Sequence, residues 1–158
     1  MSDLAFAILS AVLTIFGALI IFLLKDAVEN LFIFPKRNFK KSLAKTKASL
    51  LFYKNILTNE FKRSEINDAF FEKILQCQKE LRENWAEISV TYPLVQKIPV
   101  ISREPSDDQI KKIQENLLSL SNSTLVYLEE TTSNSKLDGC ESRRKKVDEI
   151  LSIINRCL

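Results

Sequence analysis

Residues 4–24 read LAFAILSAVLTIFGALIIFLL and carry no charge. Only Ser10, Thr14 and Gly17 interrupt the apolar run. As a helix rising about 1.5 Å per residue, the run is about 31 Å long, which matches a hydrocarbon core of about 30 Å. It predicts an N-terminal transmembrane helix and an anchor region over residues 1–27. A secretory signal peptide has a different pattern: a basic n-region, an apolar core of about 7–15 residues and a small-residue cleavage site. Here Met1, Ser2 and Asp3 precede a longer run, and nothing like Ala-x-Ala closes it. The residues favour an uncleaved anchor.

No cation precedes the span, whereas Lys25, Lys36, Arg37, Lys40, Lys41, Lys45 and Lys47 follow it against Asp26 and Glu29. Basic residues flanking a span stay on the cytoplasmic side. The expected topology is therefore single-pass in an inner membrane, N-terminus outside and C-terminal part in the cytoplasm. These seven cations and two acids outweigh the whole chain's net charge of +3, so the remainder is net acidic. Lys36, Arg37, Lys40 and Lys41 read as a basic membrane collar, each cation contributing about 1 kcal/mol near an anionic surface. Nucleic-acid binding is the weaker reading of the same charge.

Within the span, Ala7, Ser10, Ala11, Thr14, Gly17 and Ala18 recur at spacings of three and four. Small residues so spaced let helix backbones approach closely in lipid. The stripe predicts self-association, and a single span lines a pore only as an oligomer. In that case Ser10, Thr14 and Gly17 would form the lining.

Residues 28–158 read as a cytoplasmic helical bundle. Pro35 is expected to open a helix that runs to Leu57 and buries Phe39, Leu43, Leu50, Tyr53 and Leu57. Ile66, Phe70, Ile74, Cys77, Leu81, Trp85 and Ile88 recur with helical period, with Ser64 as the expected N-cap. Residues 88–102 are rich in β-branched residues and hold Pro93 and Pro99, so they predict a connector. Ser106 and Gln109 form a capping box that opens the next helix. Its buried face is Ile110, Ile113, Leu117 and Leu120, extended by Leu125 and Leu128. Residues 129–140 read as a polar loop. A last helix from Glu141 to Cys157 turns Val147, Ile150, Leu151, Ile154 and Leu158 inward. The expected fold is all-α: one membrane helix followed by an antiparallel bundle of about four helices.

Composition removes most chemistry. The chain has two glycines in 158 residues and no histidine. Phosphate-cradling loops need glycines in clusters. Histidine-based catalysis and histidine-ligated zinc are excluded outright. Cys77, Cys140 and Cys157 have no metal-ligand spacing and read as free thiols. Asp107–Asp108 complements a helix N-terminus, and Glu129–Glu130 reads as a solvated helix end. No cofactor, metal or catalytic residue is expected. Arg143, Arg144, Lys145 and Lys146 form a second basic run. The run reads either as a solvated helix face or as an anion site for a nucleotide or RNA, because arginine forks suit phosphate.

The segments FIFPKRNFKKSLAKTKASLLFYKNILTN, LLSLSNS and RRKKVDEIL resemble small bacterial membrane-anchored helical proteins. The layout is also similar to CRISPR-associated membrane effectors, one kind of which forms an oligomeric pore on a HEPN-like bundle, and another of which is gated by cyclic oligoadenylate. HEPN nucleases pair an arginine with a histidine. Arg143 or Arg144 would match the arginine, but the chain has no histidine, so the resemblance excludes nuclease activity. It implies a non-enzymatic effector that oligomerises and perturbs or opens the membrane in anti-phage defence. Its expected partners are the bilayer, further copies of itself, a cyclic oligonucleotide or RNA, and a defence-system protein. A membrane-tethered sensor and a plain scaffold are the alternatives.

Overall fold

The computed structural model describes residues 3–59, 61, 66–96, 105–126 and 136–158. The molecule is all-α, with no strand among the described residues. Helix α1 (Asp3–Val28) passes through a π-helical turn (Glu29–Ile33) into α2 (Phe34–Phe52) without a break. A short α3 (Lys54–Thr58), then α4 (Asp68–Gln96), α5 (Asp107–Val126) and α6 (Lys136–Cys157) complete the chain.

The sequence places a helix start at Pro35, yet the backbone runs straight through it. Proline lacks the N–H for the i→i−4 bond, and its ring crowds the carbonyl four residues back, here that of Leu31. The π turn relieves both: the N–H of Phe34 bonds the carbonyl of Glu29, five residues back, and Pro35 falls in the first turn of α2. Anchor and bundle thus share one rod, about 75 Å long from Asp3 to Phe52, and the boundary expected at residues 27/28 marks no structural break. The rod ends at Tyr53, whose φ of −94° and ψ of 11° separate α2 from α3. The single helix expected up to Leu57 is therefore two.

Polar side chains fix the directions of the helices. Ser42 meets Thr91, Lys45 meets Glu87, and Ser49 and Tyr53 both meet Glu80, so α2 and α4 are antiparallel. Arg82 reaches Ser121 and Asn122, and Gln114 reaches Ser89, so α4 and α5 are antiparallel. Lys146 bonds Ser119, while Lys112 and Asn116 bond Glu149, which sets α6 against α5. Arg143 and the Lys54–Asp148 pair close the ring from α6 back to α3. The result is an antiparallel four-helix bundle, with α2 and α3 together forming one of its four sides.

The core follows the apolar periodicity. Phe39, Leu43, Leu50, Tyr53 and Leu57 bury against Cys77, Leu81, Ile88, Ile110, Ile113, Leu117, Leu120, Val147, Ile150 and Ile154. Full burial of an aliphatic side chain stabilises by about 1.5–3 kcal/mol. Several expected positions differ. Trp85 is exposed at the bundle surface, Leu151 is half-buried, Leu158 is exposed, and Ile153 is buried in their stead. Ile66 precedes α4, whose first turn is capped by Asn67 Oδ1 accepting from the N–H of Phe70 at 2.8 Å. The expected cap, Ser64, lies outside the described residues. The capping box of α5 forms: Ser106 N–H donates to Gln109 Oε1 at 3.0 Å, and Gln109 N–H to Ser106 Oγ at 3.4 Å.

The expected connector and the expected loop are helical where they are described. Helix α4 continues through Pro93 to Gln96. Tertiary contacts compensate the hydrogen bond lost at Pro93. Val95 is buried, Tyr92 lies on Phe39 with ring centroids 5.5 Å apart, and both Tyr92 and Gln96 donate to Asp107 at the start of α5. Helix α6 begins at Lys136, so Gly139 lies inside a helix rather than in a loop. The rest of the expected connector, residues 97–102, and most of the polar loop, with Leu128, lie outside the described residues, and the side chain of Leu125 is likewise outside the description.

Candidate functional site

Among the described residues, one helix is long and apolar enough to cross a membrane, running from Phe6 into Phe52, and its apolar stretch has no buried residue. Ala7, Ser10, Ala11, Thr14, Gly17 and Ala18 lie on one side of this helix by their spacing. A Cβ added to Gly17 would meet nothing within 4 Å. The small-residue face is therefore left open by the rest of the chain. Thr14 Oγ1 donates to the carbonyl of Ser10 at 2.8 Å, so its hydroxyl is satisfied within its own helix.

The basic collar is less uniform than its sequence. Arg37 and Lys41 are exposed, while Lys36 and Lys40 are half-buried at the base of the bundle. Because the rod is unbroken, Lys36 stands about 18 Å along the helix axis beyond Leu24. Headgroups extend only about 5–8 Å past the hydrocarbon. Only Lys25 sits at the end of the span itself. Were a hydrocarbon core to end at Leu24, these cations would face an anionic surface across a distance comparable to the Debye length of about 8–10 Å, not in direct contact.

The second basic run is dispersed by the fold. Arg143 is only 4% exposed. Its Nε donates to the carbonyl of Leu57 at 2.8 Å, and its terminal nitrogen to the carbonyl of Asn59 at 3.0 Å and to Cys140 Sγ at 3.1 Å. It thus satisfies the last carbonyls of α3, where a cation also complements the helix dipole. Arg144 and Lys145 face solvent, and Lys146 Nζ donates to Ser119 Oγ at 2.6 Å. The four cations point in three directions and do not assemble a single anion site. With α6 starting at Lys136, the run also lies beyond the first turn, where the repulsion from the helix N-terminus has decayed.

A polar cluster that the sequence analysis does not single out joins the end of α2 to α4. Glu80 accepts from Tyr53 Oη at 2.8 Å, Ser49 Oγ at 3.2 Å and Gln76 Nε2 at 3.2 Å. Burial, and then the Glu80 carboxylate, push the Tyr53 phenol up to about 12. Burial does the same to the Cys77 thiol, raised to about 12, which makes it an inert core residue. The signal in the sequence is the hydroxyl series Ser42, Thr46, Ser49 and Tyr53, spaced to face one neighbour. All four are buried.

Among the described residues, no group of three cysteines or carboxylates gathers where it could hold a metal ion. No protein-family model matches this chain, and no curated protein or solved structure does. What defines its class is the architecture itself: an all-α chain with an exposed apolar N-terminal helix that continues through a π-helical turn into a four-helix bundle.

Proposed function

We propose that the chain is a single-span, non-enzymatic membrane protein that self-associates through its anchor and perturbs or opens the bilayer. The carrying observation is the rod: an exposed apolar helix, with an open face of small residues, continues unbroken into the bundle core. An apolar helix of that length with no buried residue needs a nonaqueous environment. The cytoplasmic placement of the bundle in an inner membrane rests on the cations that follow the span. A role in anti-phage defence, with a defence-system partner or a cyclic oligonucleotide as trigger, rests on the resemblance in layout alone.

Reconstitution tests this reading. The full-length protein, in detergent and in nanodiscs, is expected to form a defined oligomer by mass and to release dye from liposomes of anionic lipid. A protein that stays monomeric in both media and leaves liposomes tight overturns it. A protein that is oligomeric but leaves the liposomes tight points to the scaffold reading.

A further inference from the structure

We infer that a second copy of this chain docks along the whole rod, through a face that the π turn makes continuous from α1 into α2. The inference rests on the reading that copies meet through the anchor, and it adds a contact beyond the span. On α2, Ala44, Ala48, Leu51 and Phe52 recur at spacings of four, three and one, and the rest of the chain leaves all four exposed, Phe52 by 80%. They point away from the bundle, because Phe39, Leu43, Thr46 and Leu50 turn the other side of α2 into the core.

Helical phase joins this strip to the small-residue face of α1. Ala7 and Ala44, Ala11 and Ala48, and Thr14 and Leu51 are each separated by ten turns of about 3.6 residues plus one residue. The π turn takes up that one residue: the N–H of Phe34 bonds the carbonyl of Glu29, one residue further back than in an α-helix. The members of each pair therefore stand on the same side of the rod. Without the turn they would diverge by about 100°, and the small-residue face would swing toward the bundle side.

Size argues for the longer contact. A strip about 10 Å wide on the apolar run alone buries about 600 Å² over both copies, whereas the same strip along the rod of about 75 Å buries about 1,500 Å². Stable pairs of folded proteins bury about 1,200–2,000 Å². The partner must offer a helix of matching length with its apolar and small positions in the same register, and a second, parallel copy does so by symmetry. Each bundle then points away from the contact. Arg37 and Lys41, between the two stretches, meet their own copies, a repulsion that salt screens beyond about 8–10 Å.

Disulfide trapping tests the inference. Full-length Cys140→Ser/Cys157→Ser protein, in liposomes of phosphatidylcholine and phosphatidylglycerol, keeps only the fully buried Cys77. Ala11→Cys reports on the span, Ala48→Cys on the strip of α2, and Val90→Cys on an exposed position of α4. On oxidation with copper phenanthroline, Ala11→Cys and Ala48→Cys are expected to form disulfide-linked dimers while Val90→Cys stays monomeric. Insertion of one alanine after Asn30 is expected to keep the Ala11→Cys dimer and lose the Ala48→Cys dimer. If Ala11→Cys cross-links but Ala48→Cys does no more than Val90→Cys, the extended face is overturned and association through the anchor stands. If neither cross-links, both readings fall together. An Ala48→Cys dimer without the Ala11→Cys dimer, or one that survives the insertion, overturns the continuous face.

Discussion

At the residue scale, the fold separates side chains that look equivalent in sequence. Arg143 and Arg144 are neighbours, yet one guanidinium is buried against backbone carbonyls and the other faces solvent. Arg143→Leu leaves the carbonyls of Leu57 and Asn59 without their donor and is expected to destabilise the bundle by roughly 1–3 kcal/mol. Arg144→Leu is expected to stay within about 0.5 kcal/mol of the parent. Urea unfolding of the two variants makes the comparison. Tyr53 carries a second expectation. Its phenol is raised in the fold from 10.0 to about 12, by burial first and by Glu80 second. A group raised on folding contributes stability that is complete below its unfolded value and is lost as pH climbs through the folded one. The Tyr53 contribution is thus present below about pH 10 and disappears between about pH 10 and pH 12. Tyr53→Phe is expected to flatten the fall of stability in that window, measured by urea midpoints along an alkaline series. Glu149 behaves oppositely: Lys112 and Asn116 hold its carboxyl below the ordinary range, so its contribution is present at neutral pH and fades in acid.

At the scale of elements, the π turn and Pro35 form one device. A π turn accommodates one more residue than α-helix would between the same two faces. Removing Asn30 converts the neck to plain α-helix with the phase of α1 and α2 kept, but it then forces Pro35 into a helix interior, at a cost of about 3 kcal/mol or a kink. Removing Asn30 together with Pro35→Ala is expected to restore the straight rod. Spin labels at Ala18 and Lys41 read the outcome: their separation changes on the single deletion and returns to the parent value in the double variant. An unchanged separation in the deletion alone would show that the π turn does not answer the proline. Helix ends generally were legible where the signal is local. Ser106 and Gln109 announce the start of α5 because a capping box needs only neighbours. The end of α4 was not legible, since Pro93 and the β-branched residues around it locally read as a break. What carries the helix to Gln96 is contact with Phe39 and Asp107, and contacts across the fold leave no periodic trace. The same holds for the site residues. Charge runs are usually solvated, and nothing in Arg143-Arg144-Lys145-Lys146 marks the first as the one that turns inward.

For the whole molecule, helical continuity is the property that unites the apolar helix and the bundle. A flexible tether would leave the orientation of the bundle undefined relative to the membrane. An unbroken rod instead fixes which face of the bundle accompanies which face of the span. Association along the apolar helix would therefore place neighbouring bundles in one defined relation. Gly17 tests this. Its position has open space for a side chain, so Gly17→Leu perturbs nothing inside a single chain. If copies meet through the small-residue face, the same substitution holds the helix backbones apart and removes the close packing on which association in lipid depends. The variant is thus expected to melt like the parent by circular dichroism while shifting to smaller species by mass in detergent. Leu13→Ala, outside the stripe, is expected to change neither. An unaltered oligomer in Gly17→Leu would move the contact between copies away from this face and onto the bundle.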